Sequence, residues 1–265
     1  MYWSATGTTK TVVTAVAGKL ADRLGLPLEE YDFTLPAARQ GAPDFGPADV
    51  VVFGTPTYAG RVPNVLLKYL ATVKGNGAAA VPVVTFGNRA FDDSLIELRD
   101  ILADNGFRPF AAAAFACEHS FSDTLAAGRP DADDLALAAQ FAGQAAARVP
   151  ALDADTPVIA VPGRAKADRD YYQPRDRAGN SIDIRKVKPK TNDQCDNCGI
   201  CAAVCPMGSI DLQDVRQFTG ICIKCGACIK KCPRGAKYYD DPGYLYHKTE
   251  LEEGYKRRAE VKLFI

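Results

Sequence analysis

Two short cysteine runs near the C-terminus constrain this 265-residue chain more than any other feature. Eight of its nine cysteines lie in them, and both runs have the spacing Cys-x₂-Cys-x₂-Cys-x₃-Cys followed by proline. Three thiolates at this spacing can bind one iron–sulfur cube, whereas the fourth is displaced toward the cube of the other run. The runs are Cys195, Cys198, Cys201 and Cys205 before Pro206, then Cys222, Cys225, Cys228 and Cys232 before Pro233.

This spacing predicts two [4Fe–4S] clusters that exchange one ligand each. The first cluster takes Cys195, Cys198, Cys201 and Cys232, and the second takes Cys222, Cys225, Cys228 and Cys205. In this pattern the segment resembles the bacterial two-cluster ferredoxins. Gly199 and Gly226 each follow the second cysteine of a run, where the backbone must pass close to inorganic sulfur.

Zinc and disulfide bonds are the alternatives for so many cysteines. Zinc sites prefer paired Cys-x₂-Cys units separated by a longer loop, without the proline that ends each run here. Disulfide bonds are typical of secreted chains, and we expect this chain to carry no signal peptide. Because the thiols must stay reduced, we expect a cytoplasmic location in an anaerobic cell.

Length and charge indicate two domains of different character. Residues 1–150 carry 12 basic and 16 acidic residues, a net charge of −4, whereas residues 151–265 carry 20 and 16, a net charge of +4. The basic excess lies around the second cysteine run, where it would offset cluster charge, so we expect no nucleic-acid partner. No apolar run approaches the roughly 18 residues that a membrane span needs.

A loop rich in hydroxyl groups begins at residue 4 and precedes an apolar helical stripe. Hydroxyls, backbone N–H groups and the helix dipole at such a loop predict a phosphate site, formed by Ser4, Thr6, Gly7, Thr8 and Thr9. A Walker A loop would need a G-x₄-G-K pattern, which is absent. The order S-x-T-G-x-T resembles the FMN phosphate loop of flavodoxins; the alternative is a capped helix start. The strand before the loop is very short, so the native chain could begin upstream of Met1.

Apolar runs alternate with helical patterns through residue 150, which predicts a doubly wound α/β fold with a parallel five-stranded sheet. After the short first strand, the predicted strands cover residues 28–33, 49–54, 81–86 and 110–117. Two helices are predicted from apolar stripes, at residues 12–24 and 95–102, and two more are predicted at about residues 63–73 and 131–149. The resemblance to flavodoxins implies the strand order 2-1-3-4-5, with FMN above strands 1 and 3.

The same resemblance implies that the loops after strands 3 and 4 hold the flavin ring. The candidate residues are Thr55, Pro56, Thr57, Tyr58, Gly60, Gly87, Asn88, Arg89 and Phe91. Tyr58 and Phe91 are candidates to stack on the ring, or else are half-buried surface aromatics. We expect that no acid in these loops faces Arg61 and Arg89, so that they favour the anionic reduced flavin; the alternative is that they face solvent or pair with Asp92 and Asp93. No catalytic residue is assigned: Cys117 fits a core position and His119 a structural histidine.

We expect three segments: a flavodoxin-like domain at residues 1–150, a linker at 151–190 packed at the domain interface, and a small α+β two-cluster domain at 191–265. The linker is rich in proline, glycine and charge, but it also holds Tyr171 and Tyr172. Residues 238–246 are predicted to be turns, residues 247–262 a charged helix, and the last three residues to pack back on the protein.

The whole chain resembles the flavodoxin–ferredoxin fusions of anaerobes. This implies FMN, two [4Fe–4S] clusters and electron transfer between them for a redox partner protein, either a ferredoxin-type donor or an acceptor enzyme. The alternatives are a reductase of a small organic acceptor and a cluster-based sensor. No G-x-G-x-x-G motif marks NAD(P)H as a donor. Whether the chain is an enzyme is left open, as is its oligomeric state, for which a homodimer is one option.

Overall fold

The computed structural model describes residues 1–153 and 155–265; Ala154, in the predicted linker, lies outside the described residues. The α-helices are α1 Thr8–Leu24, α2 Leu67–Leu70, α3 Ser94–Asp104, α4 Ala132–Arg148, α5 Ile200–Ala203, α6 Ala227–Lys230 and α7 Pro242–Gly254. The strands are β1 Val50–Pro56, β2 Ala79–Phe86, β3 Arg108–Pro109, β4 Ala112–Ala116, β5 Lys190–Thr191, β6 Lys237–Tyr238 and β7 Lys262–Phe264.

A mostly parallel sheet forms the centre of the first 150 residues. β2 pairs in parallel with β1, β3 and β4, and every residue of β2 is buried. Strands that are covered on both faces need continuous apolar sequence, which the runs at 50–56, 79–86 and 112–116 supply. β7 adds an antiparallel edge strand next to β4, so the last residues of the chain complete this sheet.

The first two predicted strands are reduced to single bridges at the other edge of the sheet. Tyr2 bridges Asp32 on one side and Gly54 on the other, both in parallel. Its N–H donates to Tyr31 O at 3.0 Å, and Trp3 N donates to Gly54 O at 3.0 Å. The first predicted strand, at Tyr2, thus lies between the second, at Asp32, and β1, with β2 and β4 beyond β1. Numbered as predicted strands, this order is 2-1-3-4-5, so the predicted doubly wound, flavodoxin-like α/β fold is confirmed.

Helices cover both faces of the sheet. α1 and α4 pack on one face through an apolar stripe of Val12, Val13, Val16 and Leu20. Gly54 permits this close approach, because a Cβ there would lie 2.2 Å from Val13 Cγ2. α3 packs on the opposite face. The helix predicted to begin near residue 63 is shorter than expected, a 3₁₀ turn at Asn64–Leu66 followed by α2.

The segment after α4 lies along the surface with little regular structure. It is fixed by ion pairs to α3 and the turn before it: Arg164 lies 2.8 Å from Asp93, and Arg169 pairs with Asp100. Tyr172 N then donates to Ala59 O at 2.8 Å. This part of the predicted linker therefore packs on the rim of the sheet and is not a free tether.

The C-terminal module begins where β5 pairs antiparallel with β6, which joins the residues before the first cysteine run to those after the second. α5 and α6 follow Gly199 and Gly226, whose φ angles are +78° and +77°. The predicted turns at 238–246 and the helix at 247–262 are wrong in their bounds, because α7 already begins at residue 242 and ends at 254. Its start is set by the Asp241 side chain, which accepts a hydrogen bond from Tyr244 N.

Candidate functional site

The predicted phosphate loop lies at the N-terminus of α1. Gly7 has a φ of +103°, which lets the chain turn into the helix. Within the described ranges, the N–H groups from Ala5 to Thr9 donate to no protein acceptor. The Ser4 hydroxyl accepts from Lys10 N at 3.0 Å, and Thr9 Oγ1 bonds Thr85 Oγ1 at 2.7 Å. The unpaired N–H groups therefore form an anion-binding nest, with the side chains of Thr6 and Thr8 half-buried around it.

The loop after β1 holds an unpartnered hydroxyl. Thr55 Oγ1 is fully buried and has no hydrogen-bond partner in the described part of the chain, a rare state for a buried polar atom. The Thr57 hydroxyl, by contrast, already has a hydrogen-bond partner, Ser94 Oγ at 2.7 Å. Tyr58 and Gly60 lie in a tight turn, and a Cβ at Gly60 would lie 2.6 Å from Asp92 Oδ2.

In the loop after β2, the candidate flavin residues Gly87, Asn88 and Phe91 contact other parts of the protein. A Cβ at Gly87 would lie 2.2 Å from His119 Cδ2. The Asn88 amide, only 2% exposed, donates to Tyr255 O and Arg257 O at 2.7 Å each. Phe91 packs on Phe86 with ring centroids 5.6 Å apart. Asn88 therefore fixes the C-terminal tail and offers no free donor to a flavin ring.

Arg61 and Arg89 are both paired with acids, so the expectation that they favour a reduced flavin loses its basis. Arg61 Nη2 lies 2.6 Å from Glu97 Oε1, and both side chains are largely buried. Glu97 belongs to α3, 36 residues further along the chain. Arg89 pairs with Asp92 and lies over the ring of Tyr172, 4.1 Å from its centroid. Since both guanidinium charges are already neutralised, neither supplies a net positive charge for a reduced flavin.

The eight cysteines of the two runs surround two cavities, and each cavity draws its fourth cysteine from the other run. One cavity is lined by Cys195, Cys198, Cys201 and Cys232. The other is lined by Cys205, Cys222, Cys225 and Cys228. We call these the first and second quartets. This is the grouping that crossed ligation of two cubes requires.

Each quartet has the four thiol donors that a multi-atom iron–sulfur cluster needs. Among residues 1–153 and 155–265, no three His, Cys, Asp or Glu side chains converge closely enough for a single metal ion. Backbone N–H groups point at the exchanged sulfurs: Ser209 N lies 3.4 Å from Cys205 Sγ, and Ala236 N lies 3.3 Å from Cys232 Sγ. Such N–H···S bonds stabilise the negative charge of cluster thiolates.

The second quartet lies against the rim of the sheet where the candidate flavin loops end. Cys225 and Ala227 belong to the same buried cluster as Trp3 and Ala5, next to the phosphate loop. Tyr58 packs on this cluster, and burial raises the pKa of its hydroxyl, an effect increased by the nearby Cys225 and Cys222 thiolates. The second quartet and the candidate ring site are therefore direct neighbours.

Polar contacts fix this arrangement at the loop after β4. Lys230 Nζ lies 2.7 Å from Glu118 Oε1 and 2.8 Å from Asp123 Oδ1. A Cβ at Gly226 would lie 2.6 Å from Ser120 O, so the two backbones are as close as glycine allows. On the opposite side, Arg39 Nη2 donates to Pro206 O at 2.7 Å. The C-terminal module is held at both ends of the rim.

Sequence reasoning missed an aromatic cluster at the same interface. His119, Phe121, Tyr244 and His247 are in edge or tilted contact, and Tyr244 stacks on Tyr239 with centroids 3.9 Å apart. Burial lowers the pKa of His119 to about 4, helped by the charges of His247, Lys230 and Arg89. His119 Nδ1 accepts from Phe121 N, which agrees with the structural role predicted for this histidine. The contacts join segments more than 100 residues apart and leave no local pattern.

Comparison with protein families identifies the cysteine segment. Residues 194–237 match the family described as the 4Fe-4S dicluster domain. This match supports iron–sulfur binding and a redox role for the C-terminal module. No curated protein matches the chain. No helix among the described residues is long and apolar enough to cross a membrane.

Solved structures overlap with the α/β domain only loosely. The rubredoxin:oxygen oxidoreductase of Desulfovibrio gigas is 17% identical with a TM-score of 0.39, covering 57% of this chain and 35% of its own. A flavodoxin from the domain Archaea is 13% identical with a TM-score of 0.40, covering 56% and 95%. A flavodoxin of Streptococcus pneumoniae TIGR4 is 23% identical with a TM-score of 0.37, covering 56% and 95%. The chain thus spans about a third of the oxidoreductase, and the fold assignment rests on the strand order.

Proposed function

We propose that the chain is an electron-transfer protein that binds one FMN on residues 1–150 and two [4Fe–4S] clusters on residues 191–265. The main support for this proposal is the contact between the second quartet and the rim of the sheet where the candidate flavin loops end. Bound at these places, the flavin would supply two-electron chemistry and the clusters one-electron chemistry. On this basis the chain is a member of the flavodoxin–ferredoxin fusions, with residues 151–190 as the packed linker.

The residues present fit a flavin phosphate better than they fit the ring. Unpaired N–H groups at Ala5–Thr9 and the N-terminus of α1 suit a dianion, and the orphaned Thr55 hydroxyl suits a polar ligand atom. Thr6, Gly7 and Thr8 would hold the phosphate, while Ser4 and Thr9 shape the loop. Thr55, Pro56, Tyr58, Gly60, Gly87 and Phe91 remain the candidates to contact the ring.

Two properties of the interface favour a carrier over a reductase of small molecules. The C-terminal module lies over the rim, fixed by Arg39 on one side and by Lys230 on the other. Cys225 and Ala227 pack in the same buried cluster as Trp3 and Ala5, beside Tyr58, and would cover this side of a bound ring. A partner protein, either a ferredoxin-type donor or an acceptor enzyme, would then exchange electrons through the clusters.

Anaerobic purification with cofactor analysis tests this proposal. We expect eight irons, eight acid-labile sulfides and one FMN per chain. Thr6→Asp should expel the flavin, because its carboxylate would face the phosphate in a partly dry loop. Thr72→Asp makes the same substitution at an exposed position just after α2 and should retain the flavin. Full flavin content in Thr6→Asp would refute the assigned phosphate loop.

A further inference from the structure

The two halves of the iron–sulfur module carry opposite charge. Residues 193–217, which contain the first cysteine run, hold four aspartates and one arginine, a net charge of −3. Residues 218–237, which contain the second run, hold five lysines and arginines and no acid, a net charge of +5. The two runs have the same cysteine spacing, so ligation alone does not explain this difference.

Most cations of the basic half are used within the molecule. Lys230 pairs with Glu118 and Asp123 across the interface. Lys237 is buried and donates to Thr191 Oγ1 at 2.7 Å. Arg234 lies 2.8 Å from Asp196. The positive charge thus serves the contact with the α/β domain and the packing of the module.

Three of the four acids of the other half are not used in this way. In the described part of the molecule, Asp193, Asp211 and Asp214 form no salt bridge, and the last two accept hydrogen bonds from neighbouring N–H groups of their own loop. Asn197 holds that loop against the first quartet: its Nδ2 donates to Gln213 O at 2.7 Å, and its Oδ1 accepts from Val215 N at 3.0 Å. The loop that carries Asp211 and Asp214 therefore lies beside the first quartet, whose cavity Val215 lines, and Asp193 lies two residues before its first cysteine.

Apolar side chains are exposed on the same half. Ile200, within the first run, is 39% exposed, and Leu212, between Asp211 and Asp214, is 71% exposed. Cys198 is the one cysteine of the nine that is exposed. A small apolar area with a charged rim beside a redox group is the composition expected of a transient protein contact.

We propose that this acidic face, residues 193–217 around the first quartet, docks a one-electron redox protein whose contact surface is basic. The inference rests on the proposed electron-transfer function and deepens it, because it names the quartet at which the partner binds. The second quartet lies beside the rim of the sheet, whereas the first includes the exposed Cys198. Unpaired carboxylates steer a cationic partner toward the first quartet, and Ile200 and Leu212 provide the short-range contact.

Anaerobic stopped-flow oxidation of the reduced holoprotein by ferric cytochrome c, a basic haem protein, measures this docking. The test variant is Asp193→Asn/Asp211→Asn/Asp214→Asn, whose amide oxygens can still accept the loop hydrogen bonds. We expect the second-order rate constant at low ionic strength to fall about five- to tenfold. In high salt, where the Debye length is only a few ångströms, the variant and the unmodified protein should react at similar rates.

Two controls separate docking from general charge effects. Asp22→Asn/Glu29→Gln/Asp44→Asn removes the same charge from exposed positions on the α/β domain and should change the rate by less than twofold. Ferricyanide, an anionic oxidant, should react with the test variant as fast as or faster than with the unmodified protein. A rate loss that is equal in both triple variants, or absent in both, would overturn the proposed face.

The same samples distinguish failure of this inference from failure of the proposed function. If the unmodified holoprotein contains flavin and clusters and reduces cytochrome c, but the test variant behaves like the control variant, only the docking face is wrong. If purified protein lacks flavin, or if flavin and clusters do not exchange electrons after reduction, the proposed function itself is wrong.

Discussion

Cys232 lies four residues from Cys228 in sequence but lines the cavity of the other cysteine run. Cys232→Ser should therefore damage the cluster bound by Cys195, Cys198 and Cys201 and leave the second quartet intact. Cys205→Ser is the matched control, with the opposite outcome expected because Cys205 lines the second cavity. Electron paramagnetic resonance with iron analysis would resolve the two clusters. Loss of the sequence-adjacent cluster in either variant would contradict crossed ligation.

The cysteine quartets could be predicted from the sequence because their spacing is local, with each ligand within a few residues of the next. The role predicted for the Arg61 charge could not be checked in this way, because the acid that neutralises this residue, Glu97, lies on a helix further along the chain. Sequence reasoning also assigned Asn88 to the flavin, although the amide binds carbonyl groups about 170 residues away. A loop asparagine with a φ of +63° signals a special position, but not its partner.

Among the secondary structure elements, those with a strong internal period were predictable. α1 and α3 cover their predicted apolar stripes, α4 begins within one residue of its predicted start, and β2 lies on its predicted apolar run. β7 was not predictable as a strand, because Lys262–Phe264 gains its hydrogen bonds only from Ala112–Ala114 at the sheet edge. Such a short segment has too little pattern of its own to be recognised before the sheet exists.

The attachment of the C-terminal tail depends on one side chain. Asn88 donates to Tyr255 O and Arg257 O and accepts from Ala259 N at 3.1 Å. Asn88→Asp should replace the two donors by carboxylate oxygens facing carbonyl groups and destabilise the tail by about 2 kcal/mol. Hydrogen exchange at β7 should accelerate accordingly.

Asn76→Asp is the matched control for this prediction. Asn76 also has a positive φ, of +46°, and donates to a carbonyl group, Phe45 O at 3.0 Å, but it is exposed and remote from the tail. Its replacement should leave hydrogen exchange at β7 unchanged. Equal exchange in the two variants would show that the tail is held by the β4–β7 pairing alone.

At the scale of the whole molecule, three separate segments hold the two modules together. The second cysteine run packs on the rim of the sheet, the linker packs along α3, and the tail joins the sheet as β7. Several contacts distributed over such a surface suppress the relative motion that domains joined by one tether would show. The proposed electron route from the flavin rim through the second quartet to the first thus has a fixed geometry.

The two glycines that follow the second cysteine of each run test this fixed geometry. Gly199 and Gly226 have nearly the same φ, +78° and +77°, so replacing either by alanine adds similar backbone strain of about 1–2 kcal/mol. Both glycines line a cluster cavity, but a Cβ at Gly199 meets no protein atom within 4 Å, whereas at Gly226 it would lie 2.6 Å from Ser120 O on the α/β domain. Only Gly226→Ala therefore separates the modules.

We expect Gly226→Ala to retain both clusters but to accelerate hydrogen exchange in the loop at residues 117–122 and to slow electron equilibration between flavin and clusters after rapid reduction. The equilibration slows because the added Cβ displaces the second quartet from the rim. Gly199→Ala should lower thermal stability by a similar backbone term and change neither of these readouts. If both variants slow equilibration equally, the effect arises within the iron–sulfur module, and the rim contact is not the electron route.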